Sequence, residues 1–194
     1  NILTLFESIP KENYINNESE KNCYLDIDLD LTSERGYLKN LHLAQLIKYS
    51  EINQNDKVLH IGGLTGYLSV LIGSLCKELY VIEEDLKLLK TLQENIHKSG
   101  RKNIKVIHSK LLDGYISKSP YNLIIIDGPL FNLKDNLKQQ ISSNGGRLVY
   151  IKKINENLSK AYKTIKNDKL YSTEYLFDVM TKFKIQEKEK VFNF

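Results

Sequence analysis

At Val58–Tyr67, VLHIGGLTGY, a short apolar run ends in closely spaced glycines. The apolar run predicts a buried strand over Val58–Ile61, and the pattern after the glycines predicts a helix over Tyr67–Cys76. Glycines between a strand and a helix let the backbone approach a ligand closely, and the helix N-terminus behind them favours polar or anionic groups. This order is typical of a parallel sheet covered by helices.

The same alternation continues on both sides of this stretch. The pattern predicts further strands over Glu78–Glu83, Asn103–His108, Tyr121–Asp127 and Arg147–Lys152. It predicts helices over Leu38–Ser50, Asp85–Ser99, Leu133–Ile141 and Asn155–Asn167. Two final strands are expected over Lys169–Thr181 and Lys182–Phe194, and Tyr24–Leu31 is expected to form an edge strand or extended arm. These elements predict an α/β fold, a doubly wound and mostly parallel sheet with an antiparallel edge strand.

Composition limits the classes of protein that this chain can belong to. The chain has 194 residues, of which 41% are hydrophobic, so we expect one domain over residues 1–194. Within it, we expect an N-terminal segment, residues 1–50, to pack on a core formed by residues 57–194. No apolar run reaches the roughly 18 residues of a membrane helix. The two cysteines, Cys23 and Cys76, exclude a disulfide scaffold and a four-cysteine zinc site, and they favour a cytoplasmic location.

Charge and acidic spacing argue against two kinds of ligand. The net charge is only +4, and the lysine-rich tail also carries Glu187 and Glu189, so we expect no nucleic-acid partner. Three aspartates alternate with apolar residues near the N-terminus, at Asp26, Asp28 and Asp30. Because the glycine and distal glutamate of a calcium-binding loop are missing, we expect no metal site there.

Candidate chemistry lies where predicted strands end, because ligands of doubly wound sheets bind beyond the carboxyl ends of the strands. Glu83 ends its strand 17 residues after Gly66, and a carboxylate there can accept hydrogen bonds from two neighbouring ribose hydroxyls. Alternatively, the glycines only turn the chain, and Glu83 is a polar residue that keeps the end of its strand in contact with water. Asp127 ends another strand and either lines an acceptor pocket or caps the next helix. The sequence leaves these alternatives open, with a nucleoside site favoured.

These motifs resemble a known family. VLHIGGLTGY followed by Leu79–Asp85, LYVIEED, resembles motif I and its successor in class I S-adenosylmethionine-dependent methyltransferases, and more narrowly the short bacterial protein-L-isoaspartate O-methyltransferases. Further segments similar to that family are Ile9–Ile15, Leu38–Ser50, Pro120–Gly128, Asn144–Val149, Leu176–Asp178 and Val191–Phe194. The resemblance therefore covers almost the whole chain.

The resemblance implies a seven-stranded Rossmann-like sheet and methyl transfer from S-adenosyl-L-methionine to the carboxylate of isoaspartyl residues in damaged peptides or proteins. Carried over residue by residue, it implies cofactor contacts at Gly62, Thr65, Gly66, Glu83 and Lys110. Asp127-Gly128-Pro129 differs from the Asn/Asp-Pro-Pro-aromatic motif of methyltransferases acting on nucleic-acid bases.

The chain also departs from the family pattern. His60 and Lys110 stand where acidic residues are usual, and the family's reactive-site serine falls at Leu38, with Asn40 in place of the proline. Ser33 and Asp127 are the remaining catalytic candidates. Leu64 replaces the middle glycine. Either its Cβ strains a left-handed backbone and its side chain takes up cofactor volume, which weakens cofactor binding, or it points away and packs on the sheet while Gly63 takes the left-handed backbone. We expect the first of these effects to dominate. Three hypotheses follow: an active isoaspartyl methyltransferase, a methyltransferase with another substrate, and a non-catalytic methyltransferase-like binding protein.

Overall fold

Seven strands form one sheet in the computed structural model, which describes residues 2–15 and 21–185. In chain order they are β3 Lys57–Ile61, β4 Glu78–Glu83, β5 Ile104–His108, β6 Leu123–Leu130, β7 Asn144–Lys153, β8 Leu158–Asn167 and β9 Leu170–Met180. Their order across the sheet is β5-β4-β3-β6-β7-β8-β9. The first five are mutually parallel, and β8 is antiparallel to both β7 and β9. The predicted mostly parallel, seven-stranded sheet with antiparallel pairing at one edge is confirmed.

Helices cover both faces of this sheet. They are α1 Ile2–Ser8, α2 Asn40–Ser50, α3 Tyr67–Gly73, α4 Leu86–Lys98 and α5 Asp135–Gln139. Alternate residues of the central strands enter two separate apolar clusters, as expected when successive side chains of a strand point to opposite faces. The cluster that contains Val58 and Val81 includes residues of α2, α3 and α4. The other cluster contains Leu59 and Ile82 and includes Leu137 of α5.

A two-stranded hairpin precedes the sheet and lies outside it. Its strands are β1 Leu29–Asp30 and β2 Gly36–Tyr37, paired antiparallel. The predicted arm over Tyr24–Leu31 is therefore a strand only at its end, and Leu25 is 53% exposed rather than part of an apolar face. Arg35 lies in this hairpin, directly before β2.

The prediction of a helix over Asn155–Asn167 is wrong, since Leu158–Asn167 forms strand β8. β8 is paired with β9 along its whole length and with β7 from Ser159 onward. These non-local hydrogen bonds override a local pattern that also fits a helix. Of the strand predicted over Lys182–Phe194, residues 182–185 are not strand and the remainder lies outside the described residues.

The part of the chain that the structure describes contains no helix long and apolar enough to cross a membrane.

Candidate functional site

The glycine turn and Glu83 lie side by side at the carboxyl edge of the sheet. β3 and β4 are paired in parallel with Ile61 opposite Ile82. The N–H groups of Gly62 and Gly63 both donate to the carbonyl of Ile82, at 3.0 and 3.1 Å. The strand pairing thus continues into the turn and brings it against the last residue of β4. The Leu64 N–H then donates to Oε2 of Glu83 at 3.0 Å.

The turn contains three residues with positive φ: Gly62 at +92°, Leu64 at +52° and Gly66 at +104°. Leu64 itself, and not Gly63, takes the left-handed conformation that L-residues resist. A side chain at position 63 has no room, because a Cβ there would lie 2.6 Å from the side chains of Leu92 and Val81. The Leu64 side chain is 4% exposed and packs in the core, which holds the turn in this shape.

The carboxylate of Glu83 is fully buried and accepts five hydrogen bonds. Three come from backbone N–H groups, those of Leu64, Glu84 and Asp85, each at 3.0 Å. The other two come from the guanidinium of Arg35, with Nη1 2.5 Å from Oε1 and Nη2 2.7 Å from Oε2. A carboxylate offers about four lone-pair positions. Glu83 therefore has no acceptor capacity left for another ligand.

Arg35 reaches Glu83 from the β1–β2 hairpin and covers the glycine turn. A Cβ built on Gly62 would lie 3.4 Å from Nη2 of Arg35 and 3.3 Å from Oδ1 of Asp127. Burial alone lowers the pKa of Arg35, but the hydrogen bonds and negative charge of Glu83 outweigh it and raise the pKa above its usual value. The guanidinium is thus a fixed positive charge at the turn.

Asp127 and His60 form a second polar pair beside the guanidinium. His60 lies on β3 with Nδ1 2.9 Å from Oγ of Ser69 and Nε2 3.6 Å from Oδ2 of Asp127. The distance to Asp127 is too long for a hydrogen bond, and Nε2 has no hydrogen-bond partner among the described residues. Asp127 belongs to β6, and the residue that precedes α5 is Lys134, so Asp127 does not cap that helix.

The other residues predicted for the site point elsewhere. The hydroxyl of Thr65 is 2.8 Å from that of Tyr37 and donates to the carbonyl of Tyr14. A Cβ on Gly66 would lie 3.1 Å from Leu92, so this glycine faces α4.

The remaining two candidates, Lys110 and Ser33, are both exposed, and Ser33 lies between β1 and β2. The neighbour of Lys110, Leu111, donates its N–H to the Glu84 carboxylate at 3.0 Å. Of all the predicted residues, the structure brings Gly62, Glu83 and Asp127 together, with Arg35 between them.

Sequence reasoning missed Arg35. It stands in a polar N-terminal stretch, SERGY, outside the motifs at the strand ends. One signal was available, since Arg35, Arg101 and Arg147 are the only arginines among 28 basic residues. Arginine is the residue best suited to a buried, two-pronged contact with a carboxylate.

The space beside these residues is small. A cavity of about 10 Å³ is bordered by Arg35, Leu64 and Asp127 together with residues 183–185. Pockets for small molecules usually measure roughly 300–1,000 Å³. Because Glu83 is saturated and Arg35 covers Gly62, the residues as arranged do not fit a nucleoside cofactor. Within residues 2–15 and 21–185, no group of three or more His, Cys, Asp or Glu side chains could hold a metal ion.

Three features define a class I methyltransferase fold: the strand order, the glycine turn after β3 and the carboxylate of Glu83 at the end of β4. Within that class the assignment is narrower. A family model described as protein-L-isoaspartate(D-aspartate) O-methyltransferase matches residues 1–181, and the chain belongs to this family.

Individual relatives are distant in sequence. The protein-L-isoaspartate O-methyltransferase of Koribacter versatilis is 25% identical over 148 residues, which is 76% of this chain and 66% of the relative. The protein of the same name from Xylella fastidiosa is 28% identical over 148 residues, 76% of this chain and 65% of the relative. The alignments thus span just under two thirds of these relatives' length.

Solved structures agree on the fold. A solved protein-L-isoaspartate O-methyltransferase superimposes with a TM-score of 0.82 at 20% identity, covering 96% of this chain and 61% of its own. A precorrin-6y C5,15-methyltransferase from Geobacter metallireducens matches with a TM-score of 0.57 at 11% identity, covering 81% of this chain and 96% of its own. At these identities the likeness shows the fold alone.

Proposed function

We propose that this chain transfers a methyl group to the carboxylate of isoaspartyl residues in damaged peptides or proteins. S-adenosyl-L-methionine would supply the methyl group, and Glu83 would be open to its ribose only with the Arg35 guanidinium away from the carboxylate. The observation that carries the proposal is the family match over residues 1–181. The glycine turn that begins at Gly62 lies beside Glu83 at one edge of the sheet, which supports it. A cytoplasmic location and the absence of a nucleic-acid partner belong to the same proposal.

The residues of the site suit a methyl acceptor that the protein has to position but does not have to deprotonate. An isoaspartyl carboxylate is ionised at neutral pH and is itself the nucleophile, so no protein base is required. This agrees with the position of Leu38, which stands where the family's serine is expected and is buried.

A second candidate is a methyltransferase-like binding protein without turnover. The observation that favours it is the two-pronged contact of Arg35 with Glu83, which fills the acceptor positions that a ribose would need.

Methyl transfer to a defined peptide separates the two candidates. The chain is incubated with S-adenosyl-L-methionine and a peptide containing one isoaspartyl residue, and the gain of one methyl group is followed by mass spectrometry. The matched control is the same peptide with a normal aspartyl residue. We expect methylation of the isoaspartyl peptide alone. Failure of both the parent and Arg35→Ala to methylate it at millimolar cofactor would reject the proposed activity in favour of the second candidate.

A further inference from the structure

We infer that the guanidinium of Arg35 occupies the position at Glu83 that a ribose would take. It must leave Glu83 before a nucleoside can bind. The inference rests on the proposed function, in which this site takes S-adenosyl-L-methionine. It makes Arg35 the residue that sets the affinity of this chain for the cofactor.

The contact geometry carries the first step. The guanidinium presents two parallel N–H groups to the two carboxylate oxygens of Glu83, at 2.5 and 2.7 Å. Two neighbouring ribose hydroxyls would present two donors to the same two oxygens. Since the three backbone N–H groups already use the rest of the carboxylate, Glu83 cannot hold both partners at once.

The surrounding chain holds Arg35 in place. The carbonyl of Arg35 accepts the N–H groups of Leu31 and Thr32, at 3.0 and 2.8 Å. Residues 181–185, here called the strap, pack against the hairpin, since a Cβ built on Gly36 would lie 2.5 Å from the ring of Phe183. Within the strap, Lys184 donates its N–H to the carbonyl of Glu34 at 2.9 Å, and Ile185 donates to the carbonyl of Pro129 at 2.8 Å. The hairpin that carries Arg35 is thus fastened to the end of β6.

The Arg35 guanidinium can nevertheless be displaced from Glu83. The Arg35 side chain is 11% exposed, and its Nε is buried without a hydrogen-bond partner among the described residues. A buried donor without a partner is unfavourable, and this donor regains hydrogen bonds when the guanidinium moves into water. When Arg35 leaves, the N–H groups of Leu64, Glu84 and Asp85 still hold the Glu83 carboxylate. The binding carboxylate therefore stays in place.

Calorimetric titration with S-adenosylhomocysteine tests the inference on the full chain. We expect Arg35→Ala to bind at least about tenfold more tightly than the parent, because the competitor is gone. Arg35→Lys should fall between the two, since an ammonium keeps the charge but cannot form the two-pronged contact. Arg101→Ala, an arginine away from the site, is the matched control and should bind like the parent. Unchanged or weaker binding by Arg35→Ala, including no detectable binding by any variant, overturns the inference.

Two further measurements keep the result interpretable. Removing one partner of a buried ion pair can destabilise a protein, so thermal unfolding is recorded for each variant. If Arg35→Ala does not fold, Arg35→Lys carries the test, and binding no tighter than the parent then overturns the inference. A gain in affinity without methylation of the isoaspartyl peptide removes the proposed activity but leaves the inference intact. Methylation without a gain in affinity removes the inference alone.

Discussion

Leu64 holds a backbone conformation that glycine adopts at lower cost. Its φ of +52° is left-handed, yet its side chain is buried in the core, so strain and burial oppose each other at one residue. Truncating a buried leucine costs roughly 2–5 kcal/mol, whereas a left-handed L-residue costs roughly 1–2 kcal/mol. Burial is the larger effect, which explains why a leucine is tolerated at the tightest point of the turn.

A matched pair of variants separates strain from burial. Leu64→Ala loses the buried side chain but keeps a Cβ, and Leu64→Gly loses both. We expect both to be less stable than the parent, with the glycine variant about 1 kcal/mol more stable than the alanine variant. Urea unfolding of the three proteins measures these differences. An alanine variant as stable as the glycine variant, or more so, would show that the left-handed backbone carries no strain.

Lys11 gives the chain a distinctive dependence of stability on pH. It is 1% exposed, its Nζ donates to Oδ1 of Asn40 at 2.8 Å, and it lies 5.5 and 5.6 Å from the ring centres of Tyr37 and Tyr67. Burial lowers its pKa from 10.5 to about 8. Between these two values the folded chain has released the proton while the unfolded chain still holds it. The contribution of Lys11 to the free energy of unfolding therefore rises with pH across this window.

Substitution of Lys11 by methionine should remove that rise. The buried tyrosines and Cys76, whose pKa values are raised by burial, act in the opposite direction at high pH. The quantity to compare is therefore the difference in unfolding free energy between parent and Lys11→Met, measured from pH 7 to 10.5. We expect the unfolding free energy of the parent to increase relative to that of the variant as the pH rises. A difference independent of pH would mean that Lys11 titrates alike in both states.

At the scale of elements, helix α4 begins where the sequence predicts. Asp85 precedes it, and its Oδ1 accepts the N–H groups of Lys87 and Leu88 at 2.8 and 3.0 Å. Loss of such a cap costs about 1 kcal/mol. We expect Asp85→Ala to lose about that much unfolding free energy in urea, and Asp85→Asn, which keeps an acceptor oxygen, to lose much less. Equal losses in the two variants would contradict the role of the cap.

Elements were predictable where local pattern and pairing agree. β4 and α4 match their predicted bounds within a residue, because an apolar run and a cap residue each act locally. β8 was not predictable, because alternate residues such as Ser159 and Lys163 are buried although they are polar. Lys163 is buried beside the carboxylates of Glu51 and Glu174, at 3.3 and 2.9 Å, and these contacts are invisible in a local window.

The site joins segments that are far apart in sequence. Glu83 and Asp127 were predictable because each ends a predicted strand, and strand ends of a parallel sheet meet at one edge. In the structure β4 ends at Glu83, whereas β6 continues past Asp127 to Leu130. Arg35 lies 48 residues before Glu83, in a hairpin outside the sheet, so no spacing connects the two. The sequence therefore indicated the site's carboxylates but not the charge that neutralises one of them.

Nuclear magnetic resonance can follow the displacement of the Arg35 side chain itself. The chain has only three arginines, so three Nε–H signals are expected, and Arg35→Ala identifies one of them. During titration with S-adenosylhomocysteine, we expect the Arg35 signal to shift together with the Gly62 amide, while the signal of Arg147, which is paired with Asp56 at 2.5 Å, stays in place. A Gly62 amide that shifts while Arg35 stays fixed, or no shift of either at millimolar ligand, would contradict the account.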